Sequence, residues 1–255
     1  MNWVIMFLRW SPNVGLNLKS LFCALVILTS QATSVFAYTD AQVRAVTTEK
    51  ESQLAQIRDQ EISQIKIVLT RRFEESRRPD ILLRLAELYV ERYRFYFMKE
   101  NEIYQGMLKQ GHKPSKVDHT FSRAELKFAN QALSSILKSQ VPYDKLDQVY
   151  YFMGYNAQEL GNAEESARYF DNVISRYPQS QYAAESYRNL AEFAYQKRRF
   201  EEAASFYEKA ARFNKIESYP RTLYKLAWAY FRIRKRAEAL DTMKRAIEIS
   251  TGNEK

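Results

Sequence analysis

The chain has little of what covalent or metal chemistry is built from. Its single cysteine is Cys23, and its two histidines are His112 and His119. Cys23 falls in a segment expected to be removed, so the rest of the chain holds no thiol. That excludes disulfides, thiolate catalysis and cysteine-bound metal together. His112 and His119 stand in a polar stretch with only Asp118 beside them, a poor metal donor set, and are expected as solvated loop residues. The chain contains no Gly-rich phosphate loop, no H-E-x-x-H and no G-x-S-x-G. No catalytic residue, metal or cofactor is therefore expected. Only six glycines and six prolines punctuate 255 residues, which leaves long unbroken stretches suited to helices. No Asn-x-Ser/Thr acceptor occurs, which favours a bacterial envelope over a eukaryotic secretory route.

Residues 1–37 read as an export signal. Arg9 and Lys19 are its only charges, Leu21 to Thr29 form an apolar run, and Val35, Phe36 and Ala37 offer a cleavage site before Tyr38. The run is short of the roughly 20 helical residues that span a bilayer, so cleavage is expected, with an uncleaved anchor as the alternative. Phe22 stands before Cys23 where a lipoprotein signal needs a small residue. Lipidation is not expected. Losing Arg9 and Lys19 lowers the net charge from +9 by two, to +7.

What the chain does have is a helix–turn–helix pattern written three times between Asp147 and Asn253. In the middle copy Ala191, Ala203 and Ala210 fall where two helices must cross closely, and Leu190, Phe200 and Tyr207 fill the space beside them. The first copy aligns Gly154, Ser166, Phe170 and Pro178 with this pattern, and the third aligns Ala227, Ala239, Met243 and Ala246. The copies begin near Asp147, Ala184 and Pro220, giving segments 147–180, 184–217 and 220–253. One such pair cannot bury its apolar face alone, so the copies must stack.

This pattern resembles the tetratricopeptide repeat (TPR), a helical pair of about 34 residues with small side chains at its eighth, twentieth and twenty-seventh positions and an aromatic at the twenty-fourth. The wording RYPQSQYAAESYRNLAE, with its longer inter-repeat loop, is most similar to bacterial envelope TPR proteins such as the Tol–Pal-associated periplasmic proteins and the barrel-assembly lipoprotein. The resemblance implies an all-α repeat solenoid that acts as a protein-binding scaffold rather than an enzyme. It names no partner.

Ahead of the repeats, residues 38–78 lack Pro and Gly from Asp40 to Arg78, and Leu54, Ile57, Ile65, Val68, Leu69 and Phe73 recur at helical spacing. A long amphipathic helix is expected, either a coiled-coil arm or the first helix of the array, with Gln60, Glu61 and Ile62 interrupting a strict heptad. Residues 79–140 read as a degenerate repeat-like pair carrying an inserted helical hairpin. Asp80 is expected to cap its first helix, and Ala86 to sit at the close-contact position. Phe128 is the candidate aromatic of the partner helix, and Ser122 with Glu125 the capping box of the return. Tyr93, Phe95, Tyr96, Phe97 and Tyr104 are too many for one helix face, and are expected against the arm or a partner.

In TPR arrays the first helix of each pair lines a concave groove. The resemblance places Tyr151, Tyr155, Arg188, Tyr195, Arg221, Tyr224, Trp228, Phe231 and Arg232 there, types enriched among binding hot spots. The family commonly has tyrosine at two positions of each repeat, which accounts for four of these six aromatics, while Tyr155 and Trp228 depart from it; tight packing is the competing role. Asn189, Arg221 and Lys225 match part of the family's clamp for a C-terminal carboxylate, but Tyr151 and Tyr155 stand where its first two members belong. Lys197, Arg198 and Arg199, with Arg234, Lys235 and Arg236, occupy the turns within copies two and three. They form either a basic edge for lipid, cell wall or acidic protein, or simply solvated turns. The last helix ends with no polar capping helix after it, so Leu240, Met243 and Ile247 either meet another subunit or partner, or are screened by Thr242, Arg245 and Glu248. The expected partner is another envelope protein in the groove. A homo-oligomer built through the arm and a peptidoglycan- or lipid-associated module are the alternatives, and nucleic acid is not expected.

Overall fold

The computed structural model describes residues 48–112, 115–213 and 217–252, so the expected export signal lies outside the described residues. Residues 1–57 and 58–255 form two units. Helix α1 runs from 48 to 70 and enters the second unit at Arg58. The rest of that unit, after a 3-10 turn at Glu75–Arg77, is α2 (Arg78–Lys109), α3 (Thr120–Lys138), α4 (Leu146–Glu159), α5 (Ala163–Arg176), α6 (Ala183–Gln196), α7 (Phe200–Ala210), α8 (Tyr219–Arg232) and α9 (Arg236–Ser250). The described residues include no strand. The expected all-α repeat architecture is what the chain adopts.

Each helix forms because one stripe is apolar and the rest is not. In α6 the buried residues are Ala183, Ala184, Ser186, Leu190, Ala191 and Ala194, a stripe of helical period. Glu164 and Glu165 open α5, and Glu201 and Glu202 open α7, where negative charge suits the helix dipole. Helices α4 and α5, α6 and α7, and α8 and α9 form three antiparallel pairs, and α6 and α8 each pack on the second helix of the preceding pair. Polar contacts one repeat apart knit the stack. Ser180 donates to Asp147, Lys197 to Glu164, Ser218 to Glu185 and Lys225 to Glu192, each pair 33 residues apart.

Several local expectations are corrected. The arm helix ends at residue 70, well short of Arg78. Its innermost side chain is Ile62, 2 % exposed, although Ile62 interrupts the heptad; Val68 points to solvent. Ile62, Ile65 and Leu69 pack into the core of α2 and α3 with Leu83, Ala86 and Leu133. Asp80 does not cap α2, which begins at Arg78 with Pro79 in its first turn. It instead accepts hydrogen bonds from Tyr143 Oη (2.9 Å) and Lys145 Nζ (2.8 Å). Phe128 is exposed and rests its ring on Tyr89, 5.4 Å between centroids, while Leu126, Ala129, Leu133 and Ile136 fill the interior of α3. The inserted hairpin is a lengthening of the pair itself: α2 has 32 residues and α3 has 19, against 14 in α4.

The capping box of the return helix does not form. Glu125 pairs with Arg92 at 2.7 Å, and the N-terminus of α3 is capped from α2 by Glu100. One carboxylate oxygen of Glu100 accepts from the backbone of Phe121 (2.9 Å) and Ser122 (3.0 Å), the other from Ser122 Oγ (2.6 Å). His119 Nδ1 lies 3.0 Å from that second oxygen, and its ring stacks on Phe97 at 4.6 Å. His119 is therefore a packed residue and not a solvated one, whereas His112 is exposed. The crowded aromatics of α2 divide among neighbours. Tyr93 donates to Glu159 of α4, Phe95 lies under Arg58 of the arm, and Tyr96 faces Phe121.

The turns within the pairs show one local conflict. Gly161 ends α4 at φ +87°, but the same place holds Arg198 at φ +61° after α6 and Arg234 at φ +65° after α8. An L-residue held in the left-handed region costs about 1 kcal/mol more than glycine, less a few tenths for glycine's greater unfolded freedom. Arg198→Gly and Arg234→Gly are each expected to raise the unfolding free energy by about 0.5 kcal/mol. Urea titration checks this; a lower midpoint for either variant contradicts it.

Candidate functional site

The first helices α4, α6 and α8 lie side by side and present the nine candidate groove residues, but the structure commits most of them internally. Tyr151 stacks on Tyr182 at 4.7 Å and lies 5.8 Å from Phe170, so it seals the joint between the first two pairs. Burial raises its phenol pKa, as it does that of half-buried Tyr155. Arg188 is held by Glu185 one turn away on α6. Tyr195 sets its edge against Phe200 at 5.1 Å, and the Arg232 guanidinium lies 4.6 Å over that same ring.

The partial carboxylate clamp is committed as well. Asn189 Nδ2 donates to the Glu185 carbonyl at 2.9 Å, and Lys225 Nζ to Glu192 at 3.0 Å. A carboxylate of the chain itself therefore occupies the lysine.

What remains outward on α8 is aromatic. Tyr224, Trp228 and Phe231 are 45 %, 41 % and 54 % exposed. They form an edge-to-face ladder, with centroids 6.3 Å apart from Tyr224 to Trp228 and 5.8 Å from Trp228 to Phe231. Two cavities flank the ladder against α9. One of about 440 Å³ is lined by Pro220, Arg221, Tyr224, Met243 and Ile247. The other, about 330 Å³, is lined by Trp228, Phe231, Arg236, Leu240 and Met243. Both are walled chiefly by side chains that can desolvate a partner, with arginine at the rim. A larger cleft, about 600 Å³, lies elsewhere, between α1 and α2. Its Glu61 is tied to Arg84 at 2.7 Å, and its Asp80 to Tyr143 and Lys145, so both of these carboxylates are already paired.

Lys197, Arg198 and Arg199 follow α6, Arg234 and Lys235 follow α8, and Arg236 opens α9; several of them are paired or packed. Lys197 reaches Glu164 at 2.6 Å, Arg199 reaches Glu202 at 2.9 Å, and Lys235 lies over Tyr230. Of the residues that consume the groove, Phe200 is marked by the repeat as a packing residue, whereas Tyr182 carries no mark of its own in the sequence. The signal that could have found Glu185 and Glu192 is the recurrence of complementary polar types 33 residues apart.

A stack of helical pairs crossing at small residues, with aromatic first-helix faces, is the architecture of a helical-repeat solenoid. Residues 148–180 and 221–249 match one tetratricopeptide-repeat model, and residues 183–216 match a second. Three segments of the chain thus match tetratricopeptide-repeat models; proteins built from such repeats typically serve as non-catalytic scaffolds for protein–protein interaction. No curated protein matches it in sequence. Among solved structures, a crystal structure of MamA superposes with a TM-score of 0.52 at 16 % identity, over 75 % of this chain and 88 % of that one. A crystal structure of BtubC from P. vanneervenii gives 0.47 at 16 % identity, over 79 % and 91 %. At such identity the likeness to MamA shows the fold alone.

Proposed function

We propose that the chain is an exported adaptor of the bacterial envelope that binds a segment of another protein through the aromatic face of its third repeat. The observation carrying this reading is the exposed Tyr224, Trp228 and Phe231 ladder between two apolar cavities. Elsewhere in the groove Tyr151, Tyr195, Arg188 and Arg232 are spent on packing, which narrows the site to α8 and its border with α9. The envelope setting rests on the signal-like residues 1–37 and on the wording of the inter-repeat loops.

Aromatic anchors in such seats commonly contribute 2 kcal/mol or more, roughly a thirtyfold loss of affinity on truncation. Trp228→Ala with Phe231→Ala is expected to abolish capture of the partner from envelope extracts at unchanged helical circular dichroism. If the substituted chain captures the same proteins in the same amounts as the unaltered chain, the third repeat is not the working face.

A further inference from the structure

A second surface lies apart from the groove. Helices α2 and α4 run side by side in the same direction: Gln148 donates to Glu87 at 3.1 Å, and Tyr93 to Glu159 at 2.5 Å. Glu159 is the last residue of α4, but α2 continues to Lys109, about 24 Å further at 1.5 Å per residue. The return helix α3 begins at Thr120, opposite Glu100, so the last turns of α2 extend beyond the start of α3. Those turns expose large apolar side chains beside Glu102, Gln105 and Lys109: Ile103 is 64 % exposed, and Met107 and Leu108 are about 40 % exposed. Phe121, at the root of the return helix, is exposed too.

The acids of this projection are consumed locally. Glu100 caps α3, Glu125 holds Arg92, Glu102 binds Lys99 at 2.8 Å and Asp118 binds Thr120 at 2.6 Å. Lys109, Lys116, Arg123 and Lys127 are exposed around them, so the apolar side chains near the end of α2 are flanked by cations. The edge behind it carries Arg198, Arg234 and Lys235, with Lys197 paired to Glu164 and Arg199 to Glu202. Lys197 meets Glu164 at the start of α5, and Arg232 covers Phe200 at the start of α7. The turns of successive repeats therefore abut along the edge from which α2 projects. On that edge Arg198 and Arg234 are kept at a backbone geometry that glycine would fill with less strain.

We infer that the α2–α3 projection is a docking tip for an anionic lipid bilayer, with Ile103, Met107 and Leu108 entering the headgroup region and the flanking cations and basic turns facing its phosphates. A bilayer accepts bulky apolar groups without a complementary shape. The stretch from Ile103 to Leu108 rises about 8 Å, comparable to the roughly 5–10 Å to which interfacial helices sink. Cations set behind the tip draw it to an anionic surface over about a Debye length, so binding weakens with salt.

The test is sedimentation of the full chain with phosphatidylcholine vesicles, with and without phosphatidylglycerol, at low and high salt. The unaltered chain is expected to sediment with the anionic vesicles and to be released by salt. Ile103→Asp with Met107→Asp is expected to weaken this at least tenfold at unchanged circular dichroism, both sites being exposed. Arg198→Gly with Arg234→Gly, which removes two cations without loading the fold, is expected to weaken it about threefold. A Met107→Trp variant should show quenching by brominated lipid above that of the unaltered chain. Equal sedimentation with neutral vesicles, no sedimentation at all, or an unchanged Asp variant would each overturn the inference. All the variants share the same residues 1–47, so an effect of that segment cancels between them.

Discussion

Replacing Gly154 by valine is expected to lower the unfolding free energy by about 3 kcal/mol, near the upper end of what overpacking costs. Gly154 is where α4 crosses α5, and a Cβ built on it would lie 2.8 Å from the edge of the Phe170 ring. That ring cannot withdraw, being 1 % exposed and in contact with Tyr151. Even alanine must displace it, and its helix-propensity gain of about 1 kcal/mol offsets only part of the strain. Valine adds two methyl groups to the same crowded crossing. Because the obstacle is the ring, shortening it should recover part of the loss. Phe170→Leu is expected to cost less in the valine background than in the unaltered chain, a coupling of about 1 kcal/mol between contacting positions. Urea unfolding of the four chains measures both quantities. Additive losses would mean that the crossing is relieved elsewhere.

That crossing shows why the repeats were legible in the sequence. Gly154, Ala191 and Ala227 stand at one place in three copies, and Phe170, Tyr207 and Met243 at another, so a local steric demand appears three times over. Ahead of them the same demand is met once, with aliphatic side chains. Leu133 and Ile136 fill the interior of α3 while Phe128 is exposed, so an aromatic sought by analogy points to the wrong residue. The groove was legible as a set of positions but not as a set of available side chains. Availability depends on what the neighbouring pair brings: Tyr182 covers Tyr151, Phe200 takes both Tyr195 and Arg232, and Glu192 neutralises Lys225. The cap of α3 was missed for a similar reason. Ser122 and Glu125 have the spacing of a self-contained cap, yet Glu100, 22 residues earlier, carries a charge that satisfies two backbone groups at once.

Glu100→Ala is expected to cost about 2–3 kcal/mol, because it strands the Phe121 and Ser122 amides and the Ser122 hydroxyl that now share one carboxylate. The loss should be local first, with amide exchange at Phe121 and Ser122 accelerating before that of α6 or α7. Glu100→Gln separates shape from charge. Burial by itself would raise the Glu100 pKa, but hydrogen bonds from Ser122, His119 and Phe121 outweigh it and hold the carboxyl below its ordinary value. A folded-state pKa below the unfolded value of about 4.3 means that the unfolded chain binds the proton more readily. The stabilisation is therefore fully present above that value and is lost as pH falls through the lower, folded one. The unaltered chain should accordingly lose more stability than Glu100→Gln on acidification below about pH 4.3, and the gap between the two chains should narrow. Urea midpoints measured from pH 6 downward decide it. Parallel curves would show that the carboxylate acts at α3 through packing alone and that its charge adds nothing to the cap.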